Sequence, residues 1–237
     1  MKYSIIIPCY NEEENLENLI NNLNVLTQRE DLEIILVENG SKDNSKEKMK
    51  SLKEIDGVKI KSVFVPVNQG YGYGIIQGLK EATGKYVGWL HADLQVSPKE
   101  MIKLIDYIEN NENPNTKYFL KGKRKNRSLY DRFFTAGMTV YESIVLGCYV
   151  NDNGAIPVLF DRELLQKFDK APYNFSIELF SLYQAKKEKY YIKRFPVILE
   201  KREKGKSSWN KGLKSKIKLS IQMMKDGISI RKGEQVK

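Results

Sequence analysis

Four polar clusters each follow a run of aliphatic residues: Pro8-Cys9-Tyr10-Asn11-Glu12, Glu38-Asn39-Gly40-Ser41-Lys42-Asp43, Asn68-Gln69-Gly70-Tyr71-Gly72 and His91-Ala92-Asp93-Leu94-Gln95. Their residue types suit a nucleoside diphosphate. A carboxylate such as Glu38 accepts from base or ribose donors, glycines let the backbone approach a phosphate, and Asp93 with Gln95 offers hard oxygen ligands to Mg2+ or Mn2+. Such a cation offsets the charge that develops on a departing nucleotide. Each cluster also has a plainer reading. Asn39-Gly40 is a turn signal, and the glycines at 70, 72 and 74 suit a loop entering a helix. His91, the only histidine, taken alone is more often a packed or surface side chain than a ligand.

Along the chain, β-branched runs near 3–8, 34–38, 58–65 and 86–90 alternate with helical patterns, as in a mostly parallel sheet covered by helices. In such a sheet ligands bind outside the carboxyl ends of the strands. All four clusters fall there. Leu16, Leu19, Ile20, Leu23 and Leu26 recur at helical spacing, with Asn11 placed to cap and Glu12, Glu13 and Glu14 in the first turn. Further helices are expected over 44–55, 73–82 and 98–111. In the second half the spacing predicts helices over 130–146 and 175–187, strands near 157–160 and 190–199, and a lysine-rich tail over 211–226. No internal repeat or linker interrupts the chain, which favours one domain.

The 237 residues are enough for one α/β domain, and 41% hydrophobic with 30% charged residues is a globular composition. The net charge is +10. Its excess lies in 117–132 and 186–218, so a phosphate-bearing partner is implied: a nucleotide, a nucleic acid or an anionic membrane surface. A merely solvated basic face explains any single patch about as well. Cys9 and Cys148 sit apart in apolar surroundings and read as buried thiols of a reducing compartment. The N-terminus lacks the apolar core of a signal peptide, and no stretch approaches the roughly 20 apolar residues of a membrane span. A cytoplasmic protein, free or peripheral on the inner membrane face, is expected.

These same segments resemble the family-two glycosyltransferases, most closely the polyprenyl-phosphate branch that includes dolichyl-phosphate mannose synthase. SIIIPCYNEEENL is similar to that family's opening strand and loop, and ILVENGSKDNS stands where it has an aspartate pair and Gly-Ser. NQGYGYGIIQGLKEATGKYVGWLHADLQVSP matches its Asn-x-Gly helix and metal motif. NDNGAIPVLFDRELL and FSIELFSLYQAKKEKYYIKRFPVILEKREKGKSSW are similar to its acceptor-side segment and its Arg-x-x-Gly-x-Ser ending, here Arg202, Gly205 and Ser207. The colinear match runs from residue 3 to about 209.

The resemblance implies an α/β GT-A fold, a Rossmann-like, mostly parallel mixed sheet with helices on both faces. It implies a catalytic domain over 1–210, followed by a basic amphipathic helix and tail over 211–237. The donor would be a nucleoside-diphosphate sugar, UDP- or GDP-linked, and transfer would invert the anomeric centre by direct displacement with Mg2+ or Mn2+. By the same resemblance Pro8, Tyr10, Glu12, Glu38, Gly40, Asn68, Gly70, His91 and Ala92 would line the donor site, Asp93 and Gln95 would bind the metal, and Arg202 with Lys206 would clamp the diphosphate. Arg124, Arg127 and Arg132 fall where the branch holds an acceptor phosphate. Two departures stand out: Glu38-Asn39 replaces the aspartate pair, and His91 replaces the first aspartate of Asp-x-Asp, serving as nitrogen ligand or as donor to phosphate. Asp152 is the best candidate for a general base, although a phosphate acceptor needs none and a turn-forming Asp fits equally well.

The acceptor reads as a polyprenyl phosphate at an anionic membrane surface, supported by tail lysines set against Ile217, Ile221 and Met224. A soluble polysaccharide or protein acceptor, with the tail packed on the catalytic domain, competes with it. A non-catalytic relative of the same fold is the less favoured alternative. A nucleic-acid binder using Tyr118, Phe119, Tyr130 and Phe133 is disfavoured, and no nucleic-acid partner is expected, because that reading leaves the four clusters without a purpose.

Overall fold

The computed structural model describes residues 1–51, 59–126, 129–200, 202 and 213–236. Among them, the strands β1 (Tyr3–Cys9), β2 (Leu32–Asn39), β3 (Lys59–Val65), β4 (Tyr86–Trp89), β5 (Tyr118–Arg124), β6 (Val158–Asp161) and β7 (Tyr191–Val197) form one mixed sheet in the order β3-β2-β1-β4-β6-β5-β7. The first four strands run parallel, and β6 is antiparallel to both β4 and β5. β7 then runs parallel to β5.

Helices α1 (Leu16–Thr27), α2 (Ser45–Ser51), α3 (Tyr71–Lys80), α4 (Lys99–Asn111), α5 (Leu129–Leu146), α6 (Ile177–Lys187) and α7 (Leu213–Lys232) cover both faces. Consecutive strand side chains point to opposite faces, so Ile5 and Ile7 pack with Leu19 and Leu23 of α1 and Leu104 and Ile108 of α4, while Ile6 packs with Ile75 and Leu79 of α3. Coverage on both sides is why β1 and β2 read as near-continuous apolar runs.

Several expectations are corrected. Helix α1 starts at Leu16, not in the acidic run. Asn11 is left-handed at φ 55°, and Asn11, Glu12 and Glu13 bond through their backbone N–H groups to Ser41, Ser45 and Asp43. The acids therefore tie two loops together instead of capping a helix. Helix α2 ends at Ser51, and the rest of the expected 44–55 element lies outside the described residues. Strand β5 was not anticipated, because Lys121, Lys123 and Arg124 make it look like a charged surface run. Cys148 is half-buried, whereas Cys9 is fully enclosed.

The tail helix reaches Lys232 and packs along α5 and α6, with Ile230 and Val236 in the core. The Val236 carbonyl accepts the Tyr173 N–H at 3.2 Å, which fixes the tail to the loop before α6.

Candidate active site

The carboxyl ends of β1, β2, β3 and β4 bring the four polar clusters to one edge. Glu38, the last residue but one of β2, stands beside Cys9 and is buried, and its Oε1 accepts the Ser41 N–H at 2.6 Å, closing the turn through Gly40. Gly40 has φ +68°, and a Cβ there would stand 2.4 Å from the Asn68 nitrogen, so the two loops touch backbone to backbone. Asn68 Nδ2 donates to the Asn39 carbonyl at 2.8 Å and Asn39 Nδ2 to the Gly70 carbonyl at 3.0 Å. Pro8 and Tyr10, at the end of β1, are half-buried, and Ala92 is buried.

Beyond β4, Arg202 comes between two carboxylates. Its guanidinium donates to Asp93 Oδ2 at 3.0 Å and approaches Glu12 Oε1 at 3.5 Å. Asp93 Oδ1 accepts the Gln95 N–H at 3.2 Å, and Gln95 is bound through its backbone and side chain to Glu200. Burial raises the Glu12 carboxyl, opposed by its bond from Asn15 and by Arg202.

His91 Nε2 lies 2.8 Å from the Tyr71 hydroxyl, which donates to Glu178 Oε1 at 3.1 Å. Trp89 Nε1 donates to the same oxygen at 2.6 Å, and Lys121 pairs with Glu178 Oε2. Burial lowers the Lys121 ammonium, opposed by Glu178, and burial together with Glu178 raises Tyr71. This buried chain fixes the ring of His91 and stacks Tyr71 on Phe175, 4.7 Å between centroids.

A pocket of about 490 Å³ opens beside these groups. His91, Asp93, Gln95, Arg124 and Asp152 line it, and its far wall comes from α5 and α7. Arg124 donates to Asp152 through Nε at 2.6 Å and through its backbone N–H at 2.8 Å. Both Asp152 oxygens are thus engaged, at a residue with φ 44°. Arg194 of β7 donates to the carbonyls of Gly122 and Asn151, at 3.2 and 2.6 Å, and holds the 151–154 loop onto β5. Arg132 is exposed on α5, while Arg127 and Lys206 lie outside the described residues.

Sequence reasoning gave no individual role to Tyr71, Lys121, Glu142, Asn153, Glu178 and Arg194. One signal was present: Glu142 and Glu178 are single charges inside apolar runs, and a charge buried in such a run needs a partner. Among the described residues no group of three or more His, Cys, Asp or Glu side chains forms a cation cage. The oxygens of Asp93 and Gln95 nonetheless suit a cation of the magnesium class. Such an ion takes one or two carboxylates and completes its shell with water and substrate phosphate, and Arg202 now supplies positive charge between Glu12 and Asp93.

Comparison with known proteins bears on the family and the fold. A dolichol-phosphate mannosyltransferase of Pyrococcus furiosus is 34% identical over 148 residues, covering 62% of this chain and 42% of the relative. An undecaprenyl-phosphate 4-deoxy-4-formamido-L-arabinose transferase of Aeromonas hydrophila is 29% identical over 169 residues, covering 68% and 49%. The chain thus spans about half the length of these curated relatives, or less. The glucosyl-3-phosphoglycerate synthase of Mycobacterium tuberculosis, solved with Mn2+, uridine diphosphate and phosphoglyceric acid, superposes with a TM-score of 0.74 at 20% identity, covering 98% of this chain and 79% of that one. The same enzyme with Mg2+ and uridine diphosphate gives a TM-score of 0.69. This likeness establishes the GT-A fold. The model of glycosyl transferase family 2 matches residues 4–169, and the chain belongs to that family.

Proposed function

We propose that the protein transfers a sugar from a UDP- or GDP-linked donor to a polyprenyl phosphate at an anionic membrane surface, with inversion at the anomeric carbon. The observation that carries this reading is the meeting of Asp93, Gln95 and Arg202 at the carboxyl edge of the sheet, at the mouth of a pocket whose far wall is built by α5 and α7. Pro8, Tyr10, Glu12, Glu38, Gly40, Asn68 and Gly70 would shape the nucleotide side. Asp93 and Gln95 would hold Mg2+ or Mn2+, which supplies positive charge to the departing diphosphate.

Arg202, joined by Lys206, would neutralise that diphosphate and let go of Glu12 and Asp93 as it does so. His91, whose Nε2 donates to a Tyr71 hydroxyl already committed to Glu178, would present Nδ1 to the donor site as a nitrogen ligand. The acceptor phosphate oxygen attacks the anomeric carbon as the bond to the nucleotide oxygen breaks, and the electron pair leaves with the diphosphate. An anionic acceptor brings no proton to remove. Asp152 then serves to hold Arg124 toward the acceptor phosphate, with Arg127 and Arg132 nearby in sequence.

The membrane side of the reading is supported by the outer faces of α5 and α7. Leu129, Phe133, Val140 and Ile144 are exposed along α5, and Ile217, Ile221 and Ile228 along α7, beside Lys218 and Lys225. Apolar stripes edged by lysine suit an anionic interface. The relatives' names include dolichol phosphate and undecaprenyl phosphate as what they act on. No described helix is long and apolar enough to cross a membrane.

Thermal-shift titration against UDP, GDP, CDP and dTDP, with and without manganese, tests the donor site, because a ligand of the folded state alone stabilises it, by about 2.7 kcal/mol at a hundredfold excess over Kd. A metal-dependent shift with one nucleotide, abolished in Asp93→Ala, is expected. Absence of any shift would return the protein to a non-catalytic member of its family. Co-sedimentation with phosphatidylglycerol vesicles, reduced in Phe133→Ser/Ile221→Ser, tests the membrane face, and equal sedimentation of both proteins would favour a soluble acceptor.

A further inference from the structure

Glu142 belongs to none of the groups used above. It lies on α5, is 1% exposed, and lines the pocket together with Asn153. Asn153 Nδ2 donates to Glu142 Oε2. The remaining polar atom of each side chain, Glu142 Oε1 and Asn153 Oδ1, is buried with no partner among the described residues. Buried polar atoms are almost always satisfied, so two orphans side by side in the wall of a cavity mark a place where something else completes them.

What completes them must donate, because both orphans are acceptors. It should also carry no negative charge. The described cations of the pocket region are already paired, Arg202 with Asp93 and Arg124 with Asp152, whereas no described cation pairs with Glu142, whose carboxyl burial pushes up to about 7. A carboxylate that no cation offsets disfavours a phosphate at its own oxygen. A sugar pyranose is the complementary group: neutral, and carrying hydroxyl donors on adjacent carbons that can reach two neighbouring acceptors. The architecture holds these acceptors in place. Arg194 and Arg124 fix the 151–154 loop, and Ser143 Oγ of α5 accepts the Val150 N–H at 3.0 Å.

We infer that Glu142 and Asn153 form the subsite for hydroxyl groups of the sugar being transferred, and so select among sugars. This rests on the donor-site reading given above. The phosphate-binding groups hold any nucleoside diphosphate, and the Glu142–Asn153 pair distinguishes what is attached to it.

The test is isothermal titration of UDP and UDP-glucose, and of GDP and GDP-mannose, into wild-type, Glu142→Gln and Asn153→Ala proteins with manganese. Glu142→Gln keeps an oxygen for Asn153 and removes one acceptor with little change of volume. Expected is a Kd for the free nucleoside diphosphate within twofold of wild type, and a Kd for its sugar conjugate raised on the order of 10- to 100-fold, as for loss of a hydrogen bond to a charged group. A deoxy-sugar conjugate lacking the recognised hydroxyl should reproduce that loss in wild type and bind both proteins alike. Equal weakening of nucleotide and conjugate, or no weakening of either, overturns the inference while leaving the donor site standing. Failure of the wild-type protein to bind any nucleotide removes the donor-site reading, and this inference with it.

Discussion

Replacing Glu142 with Gln should make the protein more stable at neutral pH and leave it nearly unchanged in acid. Burial pushes the Glu142 carboxyl up to about 7 from its ordinary 4.5, with Asn153 opposing. The residue is 1% exposed, so solvent screens little of this effect. The folded state binds the proton more tightly than the unfolded chain does. Below about pH 4.5 both states are protonated and the carboxyl carries no penalty. Between about 4.5 and 7 the unfolded chain ionises first and stability is lost, and above about 7 the loss is complete. At about 1.36 kcal/mol per pH unit the full gap amounts to about 3.4 kcal/mol, of which about 2.5 kcal/mol falls between pH 5 and pH 8. Urea denaturation of wild-type and Glu142→Gln proteins at both values measures it. Gln does not titrate, so contributions from every other group cancel in the difference of differences. A value below about 1 kcal/mol, or one favouring the wild type at pH 8, would show that the carboxyl is solvated or paired with a cation, and the reasoning would fail.

Three further outcomes follow from the same contacts. Lys121→Met strands the Glu178 carboxylate in the core and should cost about 3–5 kcal/mol, most of it recovered by adding Glu178→Gln, since an unpaired buried charge is what destabilises. No recovery in the double variant would mean that Lys121 acts through packing. Gly70→Ala should cost at least about 1–3 kcal/mol in urea denaturation, because φ is +122° and its Cβ would stand 2.3 Å from the Tyr173 carbonyl oxygen. Gly137→Ala, where a Cβ meets nothing within 4 Å on helix α5, should instead gain up to about 1 kcal/mol, and a loss there would contradict the open face described for α5.

Much of the site's outline was legible in the chain. Strands too apolar for anything but a sheet covered on both faces, alternating with helices, force the segments after β1, β2, β3 and β4 to one edge, so Glu12, Glu38, Asn68 and Asp93 could be grouped before any contact was known. Asn39-Gly40 and Gly70 announced their turns for the same local reason, a backbone conformation that side chains oppose. Local chemistry misled where a residue's partner lies far along the chain. Asn11 and the acids after it look like a helix start, yet Asn11 bonds to Ser41, Glu12 to Ser45 and Glu13 to Asp43. Lys121 looks like surface charge until Glu178, 57 residues later, is brought against it.

Colinear motifs along the chain carried the family, and its strand and helix patterns the sheet edge where the four polar clusters meet, because periodicity and turn chemistry act over a few residues and recur in order. What frames the pocket depends instead on how distant segments pack. Setting β6 antiparallel between β4 and β5, and β7 beyond them, folds the second half back over the first. That return carries Arg202 to Asp93, 109 residues away, and wraps α5 and α7 around the cavity. It also encloses Glu142 and Asn153 together with their unmatched oxygens. Burial is a property of how layers close on one another, and no local pattern in the chain specifies which lone charge will be enclosed.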